Sequence, residues 1–252
     1  MTSLQIKSAP VAQPPRAVRE RRLAAARRQR WFYLALLGVA LVAPLAVYPV
    51  FLMKLLCFAL FACAFNLLLG FSGLLSFGHA AFFGGSAYIT GYLCRDLGVT
   101  PEIGILLGGV FGAALGAVFG WLAIRRAGIY FAMITLGLAQ LVFFLALQLP
   151  FTGGEDGLQG IPRGHLFGLV DLNDNLAMYY FVFAVFLGGF ALVFRTIHSP
   201  FGQILKAIRD NEARAISLGY DVNRFKLLAF VISASLTGIA GSTKALVFQR
   251  AI

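Results

Sequence analysis

The sequence predicts an all-α fold, a polytopic transmembrane helical bundle of about seven crossings with one broken or re-entrant segment and a cytoplasmic helical segment. Hydrophobic residues make up 60% of the 252 residues and charged residues 12%, whereas a soluble domain has about 25% charged residues. Long stretches are apolar on every side of a helix, so their solvent is lipid. The net charge of +11 is concentrated outside these stretches, which indicates positive-inside patterning and not a nucleic-acid surface.

The first 30 residues form a basic, proline-containing segment. We expect residues 1–30 to be a cytoplasmic tail without fixed structure and residues 31–252 to form the transmembrane domain. Residues 31–53 are apolar for long enough to cross the membrane and stay there, unlike a cleaved signal peptide. Pro44 and Pro49 are expected to kink this first span.

Residues 55–94 contain no Asp, Glu, Lys or Arg. As one helix they would extend about 60 Å, twice the hydrocarbon thickness. The chain is therefore expected to turn back within "GFSGLLSFGHAAFFGG", residues 70–85, where Gly and Ser loosen the helix. This predicts two crossings with a broken or re-entrant piece.

A stripe of glycines at four-residue intervals lies in the apolar span 103–124. Small residues at this spacing let two membrane helices approach closely, so the stripe predicts a helix-packing face. A ligand groove along the stripe is the alternative. The glycines are Gly104, Gly108, Gly112, Gly116 and Gly120.

The remaining topology follows from span length and the Lys/Arg bias, which place the N-terminus inside. The further crossings are 127–149, 176–194 and 227–247, with an outer loop at 152–175 and cytoplasmic segments at 125–126 and 195–226.

Several polar side chains lie within the apolar runs. His79 is a candidate proton relay, but no carboxylate accompanies it, so a neutral imidazole hydrogen-bonded between helices is the competing interpretation. The others can line a polar path or serve as hydrogen-bond partners between helices. The substrate-path candidates are Asn66, Ser72, Ser76, His79, Thr135 and Gln140.

Other chemistry finds little support. Cys57, Cys63 and Cys94 lack the C-x-x-C spacing of a metal or redox site and are interpreted as buried apolar residues. We expect no metal and no catalytic residue. The adjacent Glu155 and Asp156 in "TGGEDGLQG" are either a paired-acid catalyst or part of a solvated, turn-rich loop.

Residues 195–226 contain the pattern of two short helices. Ser199 is expected to cap the first, with Pro200 at its first position and apolar residues at helical spacing along one face. The second is expected to start after Asp210 or Asn211 and to stop at Gly219. An ordinary basic interfacial loop is the alternative to a docking surface.

Four blocks together resemble the permease subunits of bacterial branched-chain amino acid ABC transporters, and they occur in that family's order. They are "FNLLLGFSGLLSFGHAAFFGGSAY" (65–88), "GIYFAMITLGLAQ" (128–140), "TGGEDGLQGIP" (152–162) and "SPFGQILKAIRDNEARAISLGYDVNRFKLLAFVISASLTGIAG" (199–241).

The resemblance implies an inner-membrane permease that pairs with a second related permease, two cytoplasmic ATPases and a periplasmic binding protein. The outer loop would contact the binding protein, and the cytoplasmic segment would couple to an ATPase. This segment follows the importer pattern E-A-A, three residues, Gly only loosely, since Arg214 replaces the second Ala and Gly219 lies one residue later. The coupling candidates are Arg209, Asp210, Asn211, Glu212, Ala213, Arg214 and Gly219.

No G-x-x-x-x-G-K-[ST] motif occurs in the sequence, so ATP would be hydrolysed by the partner subunits and this chain would bind no cofactor. A secondary transporter or channel for a small polar solute is the alternative function, although only Lys244 and His79 could serve as coupling residues within spans. A membrane-embedded enzyme ranks below it. Family members usually continue through further glycine-rich spans, so a sequence ending at "KALVFQRAI" implies a truncated or divergent C-terminal end.

Overall fold

The computed structural model describes residues 36–126, 128–166, 168 and 170–251. The predicted tail, residues 1–30, lies outside the described residues. The chain divides into two compact units, Met1–Val47 and Tyr48–Ile252. The first contributes the short apolar helix α1, Leu36–Ala46, and the second contains all of the elements that follow.

The second unit is a bundle of α-helices, as the sequence predicts. Its helices are α2 (Pro49–Asn66), α3 (His79–Asp96), α4 (Pro101–Ala123), α5 (Ile129–Gln148), α6 (Asn175–His198), α7 (Pro200–Asp210), α8 (Glu212–Ser217) and α9 (Val222–Phe248).

Five helical segments in the described part of the chain are long and apolar enough to cross a membrane. They are Pro49–Ser72, α4, α5, α6 and α9. The fold class is thus confirmed as a polytopic helical bundle, while the number of about seven crossings stays a prediction.

The first predicted span, residues 31–53, is not one continuous helix in its described part. Helix α1 ends at Ala46, and α2 begins at Pro49. Tyr48 has a non-helical conformation (φ −54°, ψ 117°), as expected for a residue that precedes proline. Pro49 therefore starts a helix, where its missing N–H costs nothing, and does not kink one.

The break expected within residues 70–85 is present. Helix α2 continues as a π-helix, Leu67–Ser72, and the chain then leaves helical structure until His79. Gly73 adopts a left-handed conformation (φ 72°), which glycine reaches without steric cost. The interrupted backbone lies against other helices of the bundle, where its free polar groups can find partners.

Helix α9 forms the centre of the bundle. In the most apolar 18-residue stretch of α9, 61% of the residues are buried, compared with 22% in the corresponding stretch of α5. It packs on α2, α3 and α4 and reaches α8 near its first turn. Asp221 caps α9 by accepting from the Arg224 N–H, so the helix begins before the predicted crossing 227–247. Helix α9 therefore connects α8 at one end of the bundle with β4 at the other.

Four two-residue strands close the end of the bundle opposite α7 and α8. Strand β1 (Leu158–Gln159) pairs antiparallel with β4 (Arg250–Ala251), and β2 (His165–Leu166) pairs with β3 (Val170–Asp171). The first pairing ties the predicted outer loop to the residues that follow α9, and the second lies within the loop. The sequence carries no alternating pattern long enough to predict them.

Candidate functional site

Helix α7 forms as the sequence predicts, with Ser199 Oγ accepting from the Gly202 N–H (3.4 Å) and Pro200 at its start. Leu205 and Ile208 are buried, and Phe201 and Ile204 are half-buried. Phe201 stacks on Phe225 of α9 with ring centroids 5.7 Å apart. The apolar face of α7 is thus seated on the membrane helices, and its polar face is left at the surface.

Helix α8 follows after one residue. Asn211 Oδ1 caps it by accepting from the Arg214 N–H (2.9 Å), and Gly219 ends it with a φ of 86°. Ala215 is buried, but Ile216 and Leu218 are 59% and 70% exposed. Helix α8 thus buries one residue and exposes apolar side chains at the end of the bundle. Such a surface is a candidate binding site for a partner protein.

The coupling candidates do not all face away from the protein. Arg209 Nη1 donates to the Gly70 carbonyl oxygen of the π-helical segment (2.5 Å), and Arg209 Nη2 contacts Asp210 (3.0 Å). Glu212 Oε1 pairs with Lys226 Nζ of α9 (2.8 Å). Arg209 and Glu212 are exposed, and each also contacts the bundle, so both help to hold the segment in place.

Asp210, Asn211, Ala213, Arg214 and Gly219 are exposed. A cavity of about 250 Å³ lies beside this contact, between the segment and the helix break. Its walls include Ser72, Gly73, Leu74, Gly128, Ile208 to Glu212, and Lys226. The candidate coupling segment and the helix break thus line the same opening.

The glycine stripe of α4 lies against α9 and α3. A Cβ added at Gly112 would lie 2.7 Å from the Ala234 carbonyl oxygen and 3.1 Å from Gly238 Cα. At Gly108 an added Cβ would collide with Ser242. The two backbones approach so closely here that even alanine would force a shift.

His79 lies at the start of α3, where three helices meet. Its Nε2 is 2.8 Å from Ser233 Oγ of α9, and that hydroxyl donates to the Ala64 carbonyl oxygen of α2 (2.5 Å). The rings of Phe65, Phe82 and Phe230 surround the imidazole. Since the Ser233 proton is directed to Ala64, the Ser233 oxygen accepts, and Nε2 carries the hydrogen.

The other substrate-path candidates divide into two groups. Ser72, Ser76 and Thr135 are buried, and Ser72 Oγ donates to the Leu68 carbonyl oxygen (2.6 Å). Thr135 Oγ1 accepts from the Phe77 N–H (3.2 Å), which satisfies backbone at the break. Asn66 and Gln140 are exposed. Thus the buried candidates support the broken backbone, and the exposed ones lie on the outside of this subunit.

The predicted outer loop is anchored by Arg163. Its guanidinium donates to Asn175 Oδ1 (3.0 Å) and to the Val247 carbonyl oxygen at the end of α9 (2.9 Å). In the same loop the backbone N–H of Asn173 lowers the pKa of the Asp171 carboxyl group, assisted by the Asn173 side chain and by His165. No three His, Cys, Asp or Glu side chains meet as metal ligands within the described ranges.

Sequence reasoning does not identify two contacts of the candidate site. The pairing of Lys226 has one signal, since a lysine one turn into an apolar helix needs a partner. Ser233 lies in "VISASLTG", a small-residue run that packs closely, and the sequence gives no signal that it would meet His79. Its partner is 154 positions away in the chain.

Comparison with known proteins gives a consistent result. The permease protein LivM of the high-affinity branched-chain amino acid transport system of Salmonella typhimurium is 30% identical over 243 residues, which covers 85% of this chain and 57% of the relative. LivM of Escherichia coli is 31% identical over 242 residues, with the same coverage of 85% and 57%.

The permease protein LsrC of the autoinducer 2 import system of Klebsiella pneumoniae is 32% identical over 136 residues, 52% of this chain and 36% of the relative. The chain thus spans little more than half the length of the LivM proteins that it matches. No solved structure matches it. The family described as the permease component of branched-chain amino acid transport systems matches residues 49–252, and the chain belongs to this family.

Proposed function

We propose that this chain is the membrane subunit of an ABC importer for branched-chain amino acids or related small amino acids and amides. The family and the LivM relatives support the solute class. In this proposal two ATPase subunits power transport from the cytoplasm, and a second permease and a periplasmic binding protein complete the assembly. The chain lies in the bacterial inner membrane with its N-terminus in the cytoplasm.

The observation that carries this proposal is the bond from Arg209 to the helix break. Arg209 is on the cytoplasmic segment, and the carbonyl oxygen that it contacts belongs to Gly70 in the interrupted span. The aliphatic part of the Arg209 side chain also packs over Gly73, where an added Cβ would lie 2.9 Å from Arg209 Cγ. A displacement of α7 by a docked ATPase is therefore transmitted directly to the irregular backbone.

The irregular backbone is in turn connected to the centre of the bundle. The Phe77 N–H donates to Thr135 of α5, and His79 contacts Ser233 of α9. Closure of the ATPases would shift α7 and α8 as a unit, and these contacts would carry the shift to α5 and α9. ATP binding can drive alternating access in this way only if these contacts differ in free energy between the two states.

The exposed face of α8 is the surface proposed to enter the ATPase. Ala213, Ile216 and Leu218 provide apolar contacts, and Asp210 and Arg214 lie beside them as exposed charges. Charged groups at the rim of an interface mainly set orientation and the rate of association. We assign Asn66 and Gln140 to the face toward the second permease, because an amide exposed to lipid would lack a hydrogen-bond partner.

Reconstitution of the chain with its cognate ATPases, second permease and binding protein tests the proposal. Uptake of labelled leucine, isoleucine and valine into proteoliposomes should require ATP and the ATPase subunits, with urea and a small amide compared in parallel. Uptake that an ion gradient drives without ATPase subunits would instead support the secondary transporter.

A pair of arginine variants tests the role of the helix break. Arg209→Gln should reduce leucine uptake per bound ATPase while the ATPase remains associated. Arg224→Gln removes an equal charge at the same end, but its partner is Asp221 of the adjacent turn. It should leave uptake unchanged, and an equal loss in both variants would contradict transmission through Gly70.

A further inference from the structure

Two lysines lie within apolar helices at the same end of the bundle. Lys54 is in the second turn of α2, and Lys244 is one turn before the end of α9. At a rise of 1.5 Å per residue, each lies about 6 to 8 Å inside the end of its helix. Lys54 Nζ is 6.0 Å from the centroid of the Phe248 ring, which places both lysines near the end of α9.

Aromatic rings connect these lysines into one groove. Lys244 Nζ lies 5.4 Å from the centroid of the Phe83 ring of α3. That ring stacks on Phe58 of α2 at 5.7 Å and meets Phe61 edge-on at 5.3 Å. We call this surface the lysine groove; its members are Lys54, Phe58, Phe61, Phe83 and Lys244. Its residues come from α2, α3 and α9.

The lysine groove lacks an acidic partner among the described residues. Neither Lys54 nor Lys244 takes part in any of the ion pairs of the described residues. Lys54 Nζ lies over Phe248, which is four residues after Lys244 on the same face of α9, so the two cations are neighbours. Ring faces attract an ammonium group but do not neutralise it. Two neighbouring cations at the edge of the hydrocarbon therefore create a site for an anion.

We propose that the lysine groove binds the phosphate of an anionic membrane phospholipid, with one phosphate shared by the two ammonium groups. Each lysine lies within two turns of the end of a membrane-spanning helix, from where its long side chain can reach the boundary between headgroups and acyl chains. Phe51, Leu55 and Phe58 are 58%, 53% and 43% exposed along α2 and offer an apolar surface for the acyl chains. An amino acid fits less well, since both lysines repel its ammonium group.

The proposal depends on the membrane location of α2 and α9 and not on ATPase coupling or the transported solute. Each lysine near a membrane surface contributes about a fivefold increase in affinity for anionic lipid, so removal of both should weaken binding about thirtyfold. Native mass spectrometry of the purified chain in detergent, titrated with phosphatidylglycerol or with phosphatidylcholine, measures this binding directly.

The variants are Lys54→Gln/Lys244→Gln and a charge-retaining Lys54→Arg/Lys244→Arg. Lys206→Gln is a matched control, because Lys206 Nζ also lies over a phenylalanine ring, Phe71, at 5.3 Å, but at the other end of the bundle. Phosphatidylglycerol should bind more tightly than phosphatidylcholine to the wild type and to the arginine variant, and this preference should be lost only in the double glutamine variant.

Three results would overturn the proposal. The first is an unchanged preference for phosphatidylglycerol in a double glutamine variant that keeps its thermal unfolding temperature. The second is an equal loss of preference in Lys206→Gln. The third is protection of the wild type by free leucine or inorganic phosphate in place of lipid, measured as a rise in the unfolding temperature, which would assign the groove to a small solute.

Discussion

Lys226 Nζ lies 2.8 Å from Glu212 Oε1, and the two side chains differ greatly in exposure, 7% for the lysine and 46% for the glutamate. The pair joins the start of the second turn of α9 to the first turn of α8. A lysine buried to this extent is costly without a counter-charge. The glutamate therefore holds the candidate coupling helix against the bundle as well as adding charge to the surface.

The first prediction is that Glu212→Lys destabilises the permease. The new ammonium group would lie beside buried Lys226, and loss of one partner of such a pair costs about 1 to 3 kcal/mol after allowance for the half-exposed glutamate. Thermal unfolding in detergent measures the effect. The exchanged pair Glu212→Lys/Lys226→Glu should recover most of the stability, and failure to recover any would show that the ion pair contributes little.

The second prediction concerns docking of the ATPase on α8. Ile216→Asp places a carboxylate on an exposed apolar position, so the chain should fold normally while co-purification of the ATPase falls at least tenfold, the effect of losing an interface anchor. Leu97→Asp is the control, because Leu97 is 60% exposed at the end of α3 away from α8. Equal loss of ATPase in both variants, or no loss in Ile216→Asp, would remove α8 from the interface.

Some features of α7 and α8 could be predicted from the sequence and others could not. The caps and apolar face of α7 and α8 depend on neighbouring residues. Ser199 and Gly219 could be identified from spacing alone, whereas the cap of α8 could be narrowed only to Asp210 or Asn211. The partners of Arg209 and Glu212 could not. Arg209 is 139 positions from Gly70 in the chain, and such a contact depends on the packing of whole helices.

The same distinction applies to the ends of the bundle. Composition predicts the long apolar helices because each must satisfy its own backbone hydrogen bonds in lipid. The contacts of Arg163 with Asn175 and with the carbonyl oxygen of Val247 have no such local cause. They require the loop and α9 to meet in three dimensions, so the sequence shows a polar loop but not its attachment.

The third prediction is a contrast between two glycines in membrane helices. Gly112→Leu should strongly reduce the stability of the purified chain, since a Cβ there already meets backbone atoms of α9 and overpacking costs about 1 to 3 kcal/mol or more. Gly137 has no atom within 4 Å of an added Cβ, so Gly137→Leu should leave this stability unchanged. Similar unfolding temperatures for the two variants would contradict close packing of α4 on α9.

The last prediction is that His79 and Ser233 act as a hydrogen-bonded pair that joins α2, α3 and α9. In Ser233→Ala the Nε2–H of His79 and the Ala64 carbonyl oxygen both lose a partner, and a buried unsatisfied group costs about 1 to 3 kcal/mol. In His79→Phe the hydroxyl of Ser233 can still donate to Ala64, so the double variant should be less destabilised than the sum of the single variants. A double-mutant cycle in thermal unfolding should give a coupling energy of about 0.5 to 3 kcal/mol.

Leucine uptake measured from pH 5 to 8 separates this structural role from a proton relay, because His79→Phe should lower uptake without shifting its pH profile. Additive stability changes would show that the pair is not coupled, and a lost pH-dependent limb would assign His79 to proton transfer.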